Sequence, residues 1–233
     1  MIVRTVVSPF LGTNCYVVSA DDGATVVVDP GAGVVGDLLA LVQDRALAPV
    51  ALLATHGHVD HTWSAAALGS AWGVPLVLHE ADAYRLADPF GTLGPLGAQL
   101  APLAGTLGDP YREPSDVRTF GADAVVPLAA ALGLRSLHSP GHTEGSTVYL
   151  LDPVPAEGSS TEEPGPTAAF TGDVLFAGTV GRTDLPGGDA DAMGRSLARL
   201  AGLPAATRVL PGHGEASTVE AELRSNPYLL GPR

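Results

Sequence analysis

The sequence predicts a single α/β domain over residues 1–233. Short Val-rich runs, typical of strands, alternate along the chain with stretches whose apolar residues recur at helical spacing. A length of 233 residues suits one domain with a large hydrophobic core, and the sequence contains neither an internal repeat nor an interdomain linker.

The first part of the chain contains most of the predicted elements. The first three strands are separated by turn residues, which predicts consecutive antiparallel pairing. The helices follow from apolar residues spaced three and four apart. The predicted elements are strands at 2–7, 15–19, 25–28, 50–54 and 76–78, and helices at 35–42 and about 62–72.

Two segments interrupt this alternation. Residues 88–115 are rich in Gly and Pro and lack periodicity, which predicts a long surface excursion that closes over the substrate as a lid. Residues 152–167 contain too few apolar side chains to order themselves, so a flexible loop is expected between strands at 146–151 and 168–171. The last helix is expected to begin at the capping-box pattern that starts at Ser217.

The charge balance narrows the range of partners. Twelve basic residues against twenty-five acidic ones give a net charge of -13, which disfavours nucleic acid and anionic membranes as partners. Every one of the basic residues is Arg, so Schiff-base chemistry on Lys and a phosphate-binding P-loop are excluded.

The sequence also predicts a cytoplasmic location. The N-terminus lacks the basic and apolar regions of a secretory signal, and no apolar stretch reaches the length of a membrane span. The single cysteine, Cys15, cannot form an intramolecular disulfide and lies in an apolar run, where a small buried side chain is expected.

Histidines concentrate directly after the strand predicted to end at Ala54. The segment Thr55-His56-Gly57-His58-Val59-Asp60-His61 contains three imidazoles and a carboxylate within six positions. Polar groups packed this closely in a core would repel and desolvate each other, whereas a divalent cation offsets both costs. Alternate residues along an extended turn cannot all face one point, so two metal ions are expected.

Three more candidate ligands follow later strands, each beside a glycine: His142, Asp173 and His213. Strand ends that collect at one edge of a sheet would bring these side chains to the His-rich segment. Each is a weak signal alone, and together they predict one site built from distant parts of the chain.

The order His-x-His-x-Asp-His, then a lone His, a lone Asp and a lone His, resembles the metallo-β-lactamase superfamily. The resemblance runs from the turn at Asp29 to His213 and implies an αββα sandwich, in which two mixed β-sheets face each other with helices outside. The metal ligands that it implies are His56, His58 and His142 for the first ion, Asp60, His61 and His213 for the second, and Asp173 as a bridge between both.

Such a site predicts hydrolysis of an acyl or phosphoryl bond. Two divalent ions about 3.5–4 Å apart lower the pKa of a shared water and stabilise an oxyanion as it forms. Imidazole and carboxylate ligands suit zinc, and iron and manganese accept the same ligands. Two divalent ions are therefore the expected cofactors, zinc first, with iron or manganese as alternatives.

Within the superfamily, the chain resembles short forms of glyoxalase II, which hydrolyse S-acyl thiol thioesters. The resemblance rests on the His-rich segment and on residues 139–146, 172–176 and 181–189. Only about twenty residues follow His213, so the helical domain that completes the thiol site in long forms is expected to be absent. A small-molecule acyl thiol is the implied substrate, and the identity of the thiol stays open.

Individual roles follow from the resemblance and from local patterns. Asp60 is expected to orient the attacking hydroxide besides binding metal. Arg182 matches a basic residue that contacts the thiol in long forms, so it is predicted to bind a substrate carboxylate, with a surface ion pair as the alternative. Asp189 is expected to cap a helix, and His79 and His138 are expected to be structural.

Other functions stay open at this stage. A persulfide dioxygenase would use one iron held by His56, His142 and Asp173. Lactone or phosphodiester hydrolysis would use the same site as the thioesterase. A β-lactamase is disfavoured because those enzymes generally lack the His that stands at position 61. A non-enzymatic scaffold is disfavoured because degenerate members usually lose ligands, and none is lost in this chain.

Overall fold

The computed structural model describes residues 1–104, 106, 109–123, 132–152 and 167–230. Its first six strands are β1 (Ile2–Val7), β2 (Asn14–Ser19), β3 (Ala24–Val28), β4 (Ala48–Leu53), β5 (Leu76–His79) and β6 (Val117–Phe120). They form one six-stranded sheet in sequence order. The strands β1, β2 and β3 pair antiparallel, as the sequence predicts, and β3 to β6 pair parallel.

A second, five-stranded sheet comes from the later part of the chain. The strands of this part are β7 (Leu134–His138), β8 (Thr147–Leu151), β9 (Ala168–Gly172), β10 (Leu175–Phe176), β11 (Thr179–Val180), β12 (Arg208–Pro211) and β13 (Ser217–Thr218). The spatial order is β13-β12-β9-β8-β7, with β10 and β11 in a short separate hairpin. Only the β12–β9 pair in this sheet is parallel, among the described residues.

Helices cover the outer surface of each sheet. They are α1 (Val35–Asp44), α2 (Val59–Thr62), α3 (Ala65–Trp72), α4 (Pro95–Ala104), α5 (Ala190–Ala201) and α6 (Val219–Ser225). In the described part of the chain, none of them combines the length and the apolar character needed to cross a lipid bilayer.

Alternation along the strands produces the layers. Val26 and Val28 of β3 belong to the core between the sheets, together with Tyr149 and Phe170 of the second sheet. Val27 lies on the other face, because successive side chains of a strand point to opposite sides. There it shares a cluster with residues of α1 and α3.

The outer layers complete the sandwich. Leu38 of α1 and Leu68 of α3 pack on the first sheet. Met193 and Leu197 of α5, with Val219 of α6, pack on the second. The predicted αββα sandwich is therefore confirmed.

Most local differences from prediction concern helices. The helix predicted over about 62–72 is α3, which begins at Ala65 and ends at Trp72, and the separate short helix α2 precedes it. The capping residue of the last helix is Thr218 and not Ser217, since the Thr218 side chain accepts a hydrogen bond from the Ala221 backbone. Asp189 caps α5 as expected and accepts from the Ala192 backbone at 2.8 Å.

The described part of residues 88–115 contains more regular structure than its composition predicts. It contains α4, whose periodicity is obscured by Gly97, and by Pro102 inside the helix. Leu93 and the half-buried Leu96 and Leu100 pack in the cluster that contains Trp63. The closing of this segment over a substrate stays a prediction.

The remaining predictions concern buried residues and the second loop. Cys15 is fully buried, and burial raises the pKa of its thiol, in line with a structural role. Strands β8 and β9 flank the loop predicted over 152–167, and its residues 153–166 lie outside the described part of the chain.

Candidate metal centre

All the predicted ligands lie at one edge of the sandwich, beyond the ends of strands. The His-rich segment follows β4 of the first sheet, and Asp173 and His213 follow β9 and β12 of the second. The short helix α2 begins directly after His58 and turns the chain, so that Asp60 and His61 face a different point from His56 and His58. The single sequence motif therefore contributes to two groups of ligands.

The first group consists of imidazoles alone. His58 Nδ1 lies 3.0 Å from His56 Nε2 and 2.9 Å from His142 Nε2. All three side chains are buried, with exposed fractions of 1% for His56, 4% for His58 and 3% for His142. Three ring nitrogens thus converge on one small volume that water hardly reaches.

The second group mixes imidazoles with a carboxylate. His213 Nε2 lies 3.3 Å from His61 Nε2 and 3.3 Å from Asp60 Oδ2. Asp60 Oδ2 lies 3.5 Å from His61 Nε2. His61 is fully buried, whereas the side chain of His213 is 28% exposed and forms the open side of this group.

Asp173 lies between the two groups. Its Oδ2 is 3.6 Å from His142 Nε2 of the first group. Its Oδ1 is 3.4 Å from His61 Nε2 and 3.6 Å from His213 Nε2, both in the second. One carboxylate therefore faces both groups with different oxygens, which is the arrangement that a bridging ligand needs.

Backbone carbonyls orient two of the imidazoles. His142 donates from Nδ1 to the Arg182 carbonyl at 2.8 Å, and His213 donates from Nδ1 to the Leu11 carbonyl at 3.1 Å. A carbonyl can only accept, so the proton of each neutral ring is on Nδ1 and the lone pair of Nε2 faces the cluster.

Asp29 orients His61 through the imidazole Nδ1 atom, as the two carbonyls orient His142 and His213. Its Oδ2 lies 3.0 Å from His61 Nδ1, and both carboxylate oxygens also accept from Thr55, at 2.7 and 2.8 Å. Asp29 therefore holds the start of the His-rich segment through Thr55 and fixes the orientation of a candidate ligand, His61. Its φ of 53° lies in the left-handed region, which Asp tolerates better than most residues.

The donor atoms of the two groups suit a metal ion, because several of them are not satisfied by hydrogen bonds within the cluster. In the neutral rings that a metal would bind, the Nε2 lone pairs of His61 and His213 face each other across 3.3 Å, where no hydrogen bond can form between them. Asp173 Oδ1 is buried and has no hydrogen-bond partner among the described residues. Because a cation offsets both costs, the cluster is consistent with a binuclear metal site.

Without a metal, the two groups of ligands differ in protonation. Burial lowers the pKa of His61, but the carboxylates of Asp60, Asp29 and Asp173 outweigh it and raise that pKa well above its usual range. Asp60 likewise outweighs burial at His213 and raises its pKa, so a metal ion at the second group would displace protons that the carboxylates attract.

Burial, reinforced by neighbouring imidazoles, lowers the pKa of His56 and lowers that of His58 to about 3, so both rings are neutral, as ligands must be. Burial alone would raise the pKa of Asp173, but the nearby charge of His61 lowers it to about 2. The same opposition lowers the pKa of Asp60, which stays ionised.

Arg182 contributes its backbone and not its guanidinium to the cluster. Its carbonyl orients His142, while its side chain makes a bidentate ion pair with Asp184, with Nε to Oδ1 at 2.7 Å. Both side chains are more than half exposed, at 52% and 68%. The structure thus shows the surface ion pair that the sequence leaves as the alternative.

His79 and His138 lie apart from the candidate ligands. Their rings stack on each other with centroids 4.0 Å apart. His79 accepts from the Ala81 backbone, and His138 donates to the Glu144 carbonyl at 2.9 Å. These contacts agree with the structural role expected from the sequence.

Sequence reasoning misses two buried charged residues beside the cluster, Asp82 and Arg85. Both side chains are fully buried, in the short 3-10 helix Glu80–Leu86 that follows β5. A pair of opposite charges three positions apart directly after a buried strand is the signal that could have identified them.

Comparison with known proteins agrees with this geometry. A model of the metallo-beta-lactamase superfamily matches residues 8–154 and 156–213. Hydroxyacylglutathione hydrolase GloC of Haemophilus influenzae is 31% identical over 224 residues, which cover 93% of this chain and 92% of GloC.

Two solved structures are also similar over nearly their whole length. BLEG-1, described as a B3 metallo-beta-lactamase, has a TM-score of 0.78 and 29% identity, with 99% of this chain and 100% of that one covered. TTHA1623, solved in a di-iron-bound form, has a TM-score of 0.74 and 36% identity, with 97% and 100% covered. With the family model matching most of its length, and with donor groups that suit a metallo-hydrolase, the chain belongs to the metallo-β-lactamase superfamily.

Proposed function

We propose that this metallo-hydrolase cleaves the thioester bond of a small S-acyl thiol, with two divalent ions held by the two groups of ligands. The observation that carries the proposal is the pair of complete donor groups that share Asp173. The similarity to GloC, named as a hydroxyacylglutathione hydrolase, supports the thioester as the bond. Since the alignment covers 92% of GloC, that relative has little chain beyond the part that this protein matches.

The proposed ligands are those that the sequence indicates. His56, His58 and His142 would hold the first ion, and Asp60, His61 and His213 the second, with Asp173 between them. When bound, two such ions would lower the pKa of a bound water and stabilise negative charge on the carbonyl oxygen. We propose zinc for both positions; the donors also accept iron or manganese, and TTHA1623 was solved in a di-iron-bound form.

Asp60 is the proposed catalytic residue. Its carboxylate stays ionised, because the charge of His61 outweighs the effect of burial on its pKa. It also accepts a hydrogen bond from Thr13 at 3.3 Å, which restrains its orientation. An ionised acceptor fixed in this way can hold the attacking water with one lone pair aimed at the substrate.

The reaction consumes one water for each thioester. The water oxygen bonds to the carbonyl carbon, the carbon–sulfur bond breaks, and the products are a carboxylic acid and a thiol. Exposure indicates the side of entry, because Asp60, Asp173 and His213 are the partly exposed members of the cluster, at 13%, 14% and 28%. The substrate is therefore proposed to approach over His213.

The proposed partner is a small acyl thiol, in the cytoplasm, and neither nucleic acid nor a membrane. A net charge of -13 opposes contact with polyanions, although Asp60 and Asp173 would be neutralised by bound cations. The local charge at the site is then less negative than the sequence total.

Arg182 provides a test of thiol recognition. If its guanidinium exchanges Asp184 for a carboxylate of the thiol, Arg182→Ala raises KM roughly 2- to 5-fold, as expected for an exposed charged contact, and leaves kcat and metal content unchanged. The matched variant Asp184→Asn frees the guanidinium and lowers KM. Steady-state kinetics that are the same in Arg182→Ala and the native protein would remove Arg182 from the substrate site.

A substrate panel tests the reaction class. The purified protein is assayed on hydroxyacyl thioesters of glutathione and of other small thiols, on a lactone, on a phosphodiester and on a cephalosporin, with His142→Ala as the metal-site control. Thioesters are expected to give the highest kcat/KM, and His142→Ala to lose that activity. A higher kcat/KM on the cephalosporin would favour the β-lactamase function that BLEG-1 carries in its name. Oxygen uptake with a glutathione persulfide would favour the dioxygenase instead.

A further inference from the structure

Asp82 makes contacts that join two ligand-bearing loops. Its side chain is fully buried and its carboxylate accepts four hydrogen bonds. Oδ2 accepts from the Gly57 backbone at 2.8 Å and from Thr143 Oγ1 at 2.7 Å. Oδ1 accepts from the Gly145 backbone at 2.9 Å and from Arg85 Nε at 3.3 Å.

The positions of these donors connect Asp82 to the first group of ligands. Gly57 lies between His56 and His58, and Thr143 directly follows His142. One buried carboxylate therefore cross-links the two loops that supply all three imidazoles of that group. The ligands of the second group have other supports, namely Asp29 beside His61 and the Leu11 carbonyl beside His213.

The two glycines show how closely the loops fit around Asp82. A Cβ on Gly57 would lie 2.7 Å from the Asp82 carbonyl oxygen, and a Cβ on Gly145 would lie 2.6 Å from Asp82 Cγ. Real Cβ atoms essentially never approach so closely, so any side chain at either glycine would push a ligand loop away.

Arg85 balances the charge of Asp82 and extends the contacts. Its fully buried guanidinium forms an ion pair with Glu144, in the loop that also contains His142, and donates to the Pro186 carbonyl at 3.0 Å. The loop at Pro186 belongs to the same stretch as Arg182, whose carbonyl orients His142. The buried carboxylate of Asp82 has four hydrogen-bond donors, one of which is the cation Arg85, so its hydrogen bonding and its charge are both satisfied. Such a group is a rigid element.

We propose that Asp82 is a positioning residue that sets the spacing of His56, His58 and His142 and so determines the affinity of the first metal position. The proposal rests on the binuclear site of the proposed function and not on the identity of the substrate. Metal binding therefore tests it even if thioesters turn out not to be hydrolysed.

Asp82→Asn is the informative substitution because it keeps the shape of the side chain. The amide NH₂ replaces one carboxylate oxygen. At the Oδ1 position it faces the N–H groups of Gly145 and Arg85, and both hydrogen bonds become repulsive contacts. At the Oδ2 position the Thr143 hydroxyl can rotate to accept from it, but the hydrogen bond from the Gly57 N–H is still lost. Outer partners of ligands typically change metal affinity by about 10- to 100-fold when they are removed. We expect a loss of that size for one zinc ion and less than a twofold change for the other.

The experiment titrates full-length, metal-free protein with Zn²⁺ against a chromophoric chelator, which resolves the two dissociation constants. The weakened constant should be the one that His142→Ala abolishes. Glu222→Gln is the matched control, since Glu222 is also buried and accepts hydrogen bonds from Gly178, Ser217 and Asn226, which hold α6 and not a ligand loop. We expect this control to lower the unfolding temperature of the metal-free protein and to keep both zinc affinities.

Two results would overturn the proposal. One is native affinity for both ions in Asp82→Asn; the other is an equal loss of affinity in Glu222→Gln at equal loss of thermal stability, which would make the role of Asp82 merely structural. If Asp82→Asn does not fold by circular dichroism, Thr143→Val decides, because it removes one of the four donors and leaves the carboxylate. It is expected to weaken the same ion by a smaller factor, and unchanged affinity in that variant would equally reject the proposal.

Discussion

Replacing Asp60 with Asn is expected to lower kcat for thioester hydrolysis by about 10³-fold, within the range for loss of an acid–base group or of a fixed charge in an active site. The substitution keeps the shape of the side chain and removes its negative charge. That charge lies 3.3 Å from His213 Nε2 and 3.5 Å from His61 Nε2, within the second group of ligands. In the proposed mechanism it also holds the attacking water.

The measurement compares kcat with zinc content in the same preparation. Asp116→Asn is the control, because Asp116 is exposed, pairs with Arg118 on the surface and loses the same charge on substitution. Control kinetics should equal those of the native protein. A full thioesterase rate in Asp60→Asn at native zinc content would rule out the proposed role of Asp60.

Asp173→Asn should have an effect of similar size for a different reason. The two oxygens of Asp173 face different groups, and an amide nitrogen has no lone pair to offer a metal. The variant can therefore serve one group only, and we expect it to hold one zinc ion tightly and to lose roughly 10²- to 10⁴-fold in kcat, since the proposed hydrolysis uses both ions.

Metal analysis after gel filtration, together with kcat, checks this expectation. Gly172, which precedes Asp173, has a φ of 48°, and a Cβ there would meet the Thr55 side chain, so substitutions must be confined to position 173 to leave the loop intact. Retention of two tightly bound zinc ions in Asp173→Asn would show that Asp173 does not join the groups.

The sequence is most informative where chemistry and local pattern coincide. The His-rich segment directly follows a buried strand, and closely spaced imidazoles and carboxylates have few uses apart from metal binding. Strands of the core were predictable because β-branched residues alternate or cluster in short runs, as along β3. His142, Asp173 and His213, on later loops, are each a weak signal alone, and only their combination with the His-rich segment predicts a metal site.

The features that the sequence does not predict depend on contacts between residues that are far apart in the chain, and local patterns do not encode such contacts. Helix α4 contains Gly97 and Pro102, which disfavour helices, and it forms because tertiary packing on the Trp63 cluster outweighs propensity. Asp82 is far from every ligand in sequence, and its role follows only from a fold that brings residues 57 and 145 to the same carboxylate. The residue type of Arg182 is compatible with a substrate contact and with a surface ion pair, and only the fold shows that its guanidinium pairs with Asp184. The substrate contact stays a prediction.

The central claim is that both groups of ligands must be filled for thioester hydrolysis. Metal-free protein is titrated with Zn²⁺, and hydrolysis of a hydroxyacyl thioester is measured at each ratio of zinc to chain. We expect little activity below one equivalent, a rise between one and two equivalents, and a plateau at two bound ions per chain. Full activity at one bound ion per chain, or no thioester hydrolysis with two ions bound, would contradict the claim.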